Sequence, residues 1–414
     1  MVITNWAGNV TFSARRLHRP ASVAEVRELV ADADNFRVLG SGHSFNPIAD
    51  TTGDLISLAD LPPVISISSD SETVTVSAGL RYGEVVPRLH AAGYALHNLG
   101  SLPHISIAGA CATGTHGSGV ANGTLASAVV ALDLVTADGG LRTITRDDEL
   151  FPAGVVSLGA LGVVTSLTLA LRPTFDMAQY VYDDLPYAAA LDEFDAIMSS
   201  AYSVSLFTDW AGPHFNQVWV KQLASAPAPP KHWHGATLAD APRHPVPGMS
   251  AESCTPQLGE PGPWHARLPH FKLEFTPSSG EELQSEYFVP RDQAILGLAA
   301  LHRLRDRIAP VLQISEIRTI AADDLWLSPS YGRDTVAFHF TWVKDTEAVL
   351  PVLREIEAAL APFDARPHWG KLFTMPPEVV ATRYGRLADF AALTTRLDPN
   401  AKLQNPFLTP HLHP

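Results

Sequence analysis

Gly40-Ser41-Gly42-His43-Ser44-Phe45-Asn46 directly follows the apolar run Phe36-Arg37-Val38-Leu39, and its reading decides the fold. Glycine has no Cβ and tolerates positive φ, so such a turn lets backbone amides approach an anionic or polar ligand closely. His43 puts a nucleophile on the same turn. Cradling a phosphate needs no histidine, whereas a ligand tethered through the turn does. The stretch is not a dinucleotide fingerprint. GxGxxG requires a third glycine where Phe45 stands, and a helix opening there. The residues that follow, Pro47 to Asp54, read as a turn-rich loop instead.

Around this turn the first part of the chain mixes strands with short helices. Ala21 to Ala33 has helical spacing of Val23, Val26, Leu29 and Val30, with Ser22 as N-cap. Thr73 to Ser77 alternates as a strand, and Arg81 to Ala92 reads as a helix. Ala128 to Thr136 and Leu141 to Thr145 read as a hairpin around Ala137-Asp138-Gly139-Gly140, and Gly162 to Leu171 as a further strand. Beyond Pro173 the composition shifts. Tyr202 to Thr208, Gln217 to Gln222, Val311 to Ile320 and Thr335 to Val343 read as strands, and Ile295 to Ile308 and Val349 to Ala361 as helices. Ala226 to His270 is dense in proline, glycine and histidine and reads as a long solvated excursion.

The 414 residues exceed one simple core, which predicts two domains. The hydrophobic share of 46% is that of a folded chain, and the net charge of −14 argues against nucleic acid or an anionic membrane as partner. No apolar run is long enough to span a membrane. The opening residues lack the apolar core and cleavage site of a signal peptide. Cys111 and Cys254 form neither a metal pair nor a disulfide framework, which predicts a cytoplasmic location with both thiols reduced. His232-Trp233-His234 and His411-Leu412-His413 have ligand-like spacing but no regular third ligand, so no metal is expected. A serine hydrolase is disfavoured by the lack of a GxSxG elbow.

A second glycine-rich stretch, Gly100 to Gly123, reads GSLPHISIAGACATGTHGSGVANG. Its hydroxyls and small residues suit a loop wrapped along a long polar ligand such as a diphosphate. A polar constellation lies further on. Glu316 and Arg318 are two apart on one predicted strand and share a face, as do His339 and Thr341 on another. Lys371 adds a cation in His368-Trp369-Gly370-Lys371.

Together, GSGHSFN, SLPHISIAG with ATGTHGSG, and LGALGVVTSLTL resemble the FAD domain of the vanillyl-alcohol oxidase and p-cresol methylhydroxylase superfamily. EIRTIAADDLWLSPSYGRDTVAFHFTW, RPHWGK, KLQNPF and the opening NWAGN resemble its aldonolactone and alditol oxidase branch. The resemblance implies an α+β, two-domain vanillyl-alcohol oxidase-like fold. Residues 1–175 would bind FAD and 176–370 would form an antiparallel-sheet substrate domain with helices. Residues 371–414 would return to the FAD domain.

The resemblance further implies a covalent FAD bonded through His43. Gly40, Ser41, Gly42, Ser44 and Phe45 would line its diphosphate and ring. Ser101, Ser106, Gly109, Ala110, Cys111, Ala112, Thr113 and His116 would cradle the rest, although Cys111 among small apolar neighbours also reads as a packed thiol. Ser101, Glu316, Arg318, Thr341 and Lys371 would meet the substrate hydroxyls, with Gln284 and His339 nearby. Such a polar pocket suits a polyol, whose hydroxyls both donate and accept. A phenol would call for an apolar aromatic slot.

The implied reaction is oxidation of an alditol's terminal alcohol, in xylitol or sorbitol, to the aldose. Lys371 or His339 would serve as base, and dioxygen would become hydrogen peroxide. Gly100, just before Ser101, would leave oxygen free access to the flavin. The implied protein is a monomer, and the nearest rival reading is an aldonolactone oxidase or dehydrogenase.

Overall fold

A computed structural model describes residues 3–275 and 281–414. The GSGHSFN turn leaves the end of a short parallel sheet. The strand Phe36–Val38 lies beside Asp54–Ile56, which in turn pairs with Arg16–His18. Behind them stands an antiparallel sheet in the order Ile65–Ile67, Thr73–Ser77, Val163–Ala170, Val129–Val135 and Leu141–Thr145. The hairpin between its last two strands turns where the sequence predicts. Asp138 accepts from Thr136 Oγ1 and from Gly140 N there, and Gly139 takes φ +80°. The expected helix after Ala21 spans Val23–Asp32, capped by Ser22, which accepts from Glu25 N.

The second sheet is larger and antiparallel throughout. It runs His232–Trp233, Ala236–Leu238, Asp176–Pro186, His214–Leu223, Ser203–Thr208, Leu312–Ile320, Thr335–Trp342, Leu283–Pro290 and Arg366–Pro367. Period-2 alternation splits its central strands. Leu206, Val218, Ile317, Phe338, Phe340 and Tyr287 bury one face against the helices Ala294–Arg303 and Thr346–Leu360. The opposite face carries the polar side chains and looks toward the parallel sheet and its turn. Two long strands here, Asp176–Pro186 and Leu283–Pro290, escape the sequence reading, as do the short ones His232–Trp233, Ala236–Leu238 and Arg366–Pro367.

Three tethers set the distance between the turn and the large sheet. Asn46 Nδ2 donates to the carbonyls of Trp369 and Lys371, each at 2.8 Å, and Phe45 N donates to Gly370 O at 2.7 Å. Asn405 Nδ2 donates to the carbonyls of Pro47, Ile48 and Asp50, joining the KLQNPF segment to the same loop. Beneath it the buried Arg37 guanidinium donates to the carbonyls of Ile48, Leu158, Gly159 and Leu403. These bonds satisfy buried loop carbonyls that would otherwise be costly.

The Ala226–His270 excursion departs from expectation. It contains short strands and 3-10 turns, and Ala236, His244, Cys254, Trp264, Leu268 and His270 are buried. Composition signalled a surface path but could not signal that its end re-enters the core.

Candidate active site

One cavity of about 770 Å³ connects the GSGHSFN turn with the polar face of the large sheet. At the turn end it is lined by Gly40, Ser41, Gly42, His43, Ser44 and Phe45, with Ser106, Gly109, Ala110, Ala112 and Thr113 opposite. The two glycine-rich segments hold each other. Ser106 N donates to Ser41 Oγ at 3.1 Å, and Ser41 N to Ser106 Oγ at 3.4 Å. A Cβ on Gly40 would come within 2.5 Å of Ser106 Oγ, so glycine is what permits this approach.

His43 is held from behind by the NWAGN segment. Trp6 stacks on its ring at 5.1 Å and 19°, and Trp6 N donates to Gly42 O. Burial first, and His104 second, lower the His43 imidazole to about 4, so it is neutral at neutral pH. Its Nδ1 is buried with no hydrogen-bond partner in the protein. A buried polar nitrogen left unpaired in this way calls for a ligand. The residues present therefore fit a flavin tethered at this turn.

Cys111 departs from the expected set. It does not line the cavity. The second stretch is not all loop but contains the helix Ile107–Ala112. Ile107 and Cys111, four apart, turn together into the core, and the thiol lies 3.8 Å from Tyr82 Oη. Burial pushes that thiol up to about 12.

The other end of the cavity gathers Gly100, Ser101, His116, Gln284, Glu316, Arg318, His339, Thr341 and Lys371. Strand register explains the grouping. Glu286, His339 and Glu316 are directly opposed across three neighbouring strands, and Gln284 is opposed to Thr341. Glu286 is the residue that sequence reasoning missed, and it is the hub. Its Oε1 accepts from Arg318 at 2.7 Å and lies 3.1 Å from His116 Nε2. Its Oε2 accepts from Lys371 Nζ at 2.7 Å. Lys371 Nζ also donates to His339 Nδ1 at 2.7 Å, while His339 Nε2 meets Thr341 Oγ1 at 3.1 Å. Arg318 Nη1 reaches Ser101 Oγ at 3.4 Å. One step of strand alternation, Gln284 to Glu286, was the available signal.

Burial alone would raise Glu286, but Lys371, His116 and Arg318 hold it well below the usual carboxylate range. Glu316 is likewise lowered despite burial, by Arg318 and His270. Burial, then Lys371, lowers His339 to about 4. Lys371 is lowered by burial against the opposing pull of Glu286, with Arg318 adding to the lowering.

These shifts carry a stability consequence. His270 and His339 are held neutral to about 4, and His368 well below 6.5, chiefly by burial. An unfolded histidine titrates near 6.5. The unfolded chain therefore takes up protons first, and stability present above pH ~6.5 is lost as pH falls toward ~4. Glu286 and Glu316, also depressed, lose their share at still lower pH. Melting temperature followed by fluorescence is expected to fall steadily from pH ~7 to ~4.5. A flat profile over that range would contradict the buried neutral histidines.

Known proteins resemble the chain over nearly its whole length. Residues 14–145 match the FAD binding domain family and residues 280–411 the D-arabinono-1,4-lactone oxidase family. The chain is 53% identical over 409 residues to an alditol oxidase of Streptomyces sp. (strain IKD472 / FERM P-14339), covering 98% of each chain. It is 29% identical to an L-gulono-1,4-lactone dehydrogenase of Mycobacterium tuberculosis, over 98% of this chain and 97% of that one. Cholesterol oxidase from B. sterolicum has the same fold. Its TM-score is 0.81 at 16% identity, over 99% of this chain and 96% of that one.

Proposed function

The chain belongs to the alditol oxidase family of FAD-dependent oxidoreductases, and from that premise we propose that it oxidises the terminal primary alcohol of open-chain polyols such as xylitol and sorbitol. The product is the aldose, and dioxygen is reduced to hydrogen peroxide. The observation that carries the reading is the charge-balanced cluster around Glu286, at the far end of the cavity from the unpartnered His43 nitrogen. A flavin bound at His43 supplies the hydride acceptor.

The remaining work falls to the chain's own residues. Glu316, Arg318, Ser101, Gln284 and Thr341 offer acceptors, donors and hydroxyls to successive hydroxyls of a polyol. Arg318 is held in place by Glu286, which fixes the direction of its donors. Lys371, its ammonium form disfavoured by burial, takes the proton of the reacting alcohol. His339 Nδ1, 2.7 Å away, shares that proton, and the Glu286 carboxylate balances the charge. At Gly100 a Cβ would sit in ordinary van der Waals contact, 3.7 Å from His116 O and Ile105 Cδ1, so the glycine leaves room for one methyl group before Ser101.

The match of residues 280–411 to a lactone oxidase family favours one rival, oxidation of a cyclic aldonolactone. Steady-state peroxide release separates the two. We expect kcat/KM for xylitol or sorbitol to exceed that for gulono- or galactonolactone by about 10⁴-fold, the scale of a site whose buried hydrogen-bonding groups the competitor leaves unpaired. A preference for the lactone would overturn the reading.

A further inference from the structure

The Pro/His-rich excursion delivers one residue to the polar cluster. His270 N donates to Ser101 O at 3.1 Å, and His270 Nε2 lies 2.7 Å from Glu316 Oε1. Behind His270 stands Lys221, on the strand His214–Leu223. Lys221 is 1% exposed and does not line the cavity. Its Nζ meets three acceptors: Leu268 O at 2.5 Å, Pro269 O at 3.1 Å and His270 Nδ1 at 2.9 Å. They match the three donors of an ammonium. A lysine wholly removed from water is costly unless it is bonded and its charge is answered. The nearest answering carboxylate is Glu316, on the far side of the imidazole ring.

We infer that Lys221 and His270 form a buried positioning relay that locks the Glu316 carboxylate as an acceptor for a substrate hydroxyl. Burial pushes Lys221 down to about 7 and His270 to about 4, so the amine stays the stronger base of the two and the proton between them stays on Lys221. His270 Nδ1 then accepts and its Nε2 must carry the hydrogen. That N–H occupies Glu316 Oε1. Glu316 Oε2 lies 3.6 Å from Arg318 Nε and is left to take a hydroxyl hydrogen. Without the ammonium the ring is free to turn to its other tautomer, presenting a lone pair to the carboxylate. Phe207 and Trp219 hold the ring edge-on at 5.5 and 5.0 Å, so the tautomer, rather than the position, is what Lys221 controls.

The substrate role of this relay rests on the polyol reading above, but the tautomer does not, and two measurements keep them apart. The first is nitrogen NMR of histidine-labelled holoenzyme, with the His270 signal identified by its loss in His270→Gln. It is expected to show Nε2 protonated and Nδ1 bare. Protonation at Nδ1 overturns the relay, whether or not the enzyme oxidises polyols. The second is steady-state kinetics on xylitol. Lys221→Met and His270→Leu are each expected to raise KM by about tenfold or more, the scale of a hydrogen bond to a charged group, with kcat moving far less. His270→Gln is expected to restore most of the affinity, since its amide can accept from Lys221 and donate to Glu316. In a Glu316→Gln background, Lys221→Met should add nothing further to KM. An unchanged KM in Lys221→Met, or an equal effect in both backgrounds, overturns the inference. Should the wild type fail to oxidise xylitol, it is the polyol reading that falls, and the NMR result still decides the relay.

Discussion

Replacing Lys371 with methionine is expected to lower kcat for polyol oxidation by about 10²–10⁴-fold, the range for loss of a positioned acid–base group. The side chain is nearly isosteric, so cavity shape changes little. What goes is the only amine within hydrogen-bond distance of both Glu286 and His339 among the described residues. His339 then loses the donor on Nδ1. Glu286 keeps Arg318, so one ion pair of the hub survives and the fold is expected to hold. The check is the maximal rate of flavin reduction at saturating xylitol, taken with a melting curve. A rate within about threefold of wild type, with the variant folded, would remove Lys371 from proton transfer. Substituting Glu286 is a different experiment, because the buried Arg318 would lose its counter-ion and Lys371 and His116 their acceptor at once.

That Lys371 and Glu286 belong to one site illustrates how much was written locally and how much was not. The His43 turn was legible because glycine, a preceding apolar strand and an out-of-place nucleophile are all neighbours in sequence. The paired faces of Glu316 with Arg318 and of His339 with Thr341 followed from period 2 alone. Glu286 was not legible. Its strand, Leu283–Pro290, interrupts its apolar side with Ser285, and its importance arises from register with His339 on a strand some fifty residues away. His270 was hidden for the same reason at greater range. Proline and histidine content describes an excursion, not the point where it returns. Cys111 misled in the other direction. Its neighbours in sequence line the cavity, but the short helix Ile107–Ala112 rotates the thiol away from it.

The second large effect concerns the bond we propose between His43 and the flavin. His43 is buried, neutral and stacked on Trp6, and its Nδ1 meets no protein partner. Each of these is what a nitrogen bonded to a flavin requires: a lone pair, a fixed orientation and no competing bond. Alanine at this position would keep the glycine turn and the Ser41–Ser106 contacts. Flavin would still bind, held by contacts alone, and exchange with solution. Removal of the bond is also expected to lower the flavin's reduction potential, and with it the rate of polyol oxidation.

The attachment is the claim on which the rest depends, because it fixes which end of the cavity holds the flavin and therefore that the Glu286 cluster meets the substrate. It is tested by acid precipitation of the purified protein. The account predicts that essentially all the yellow colour of the wild type stays with the pellet and that the colour of His43→Ala passes to the supernatant. Colour released from the wild type, or retained by His43→Ala, would contradict it.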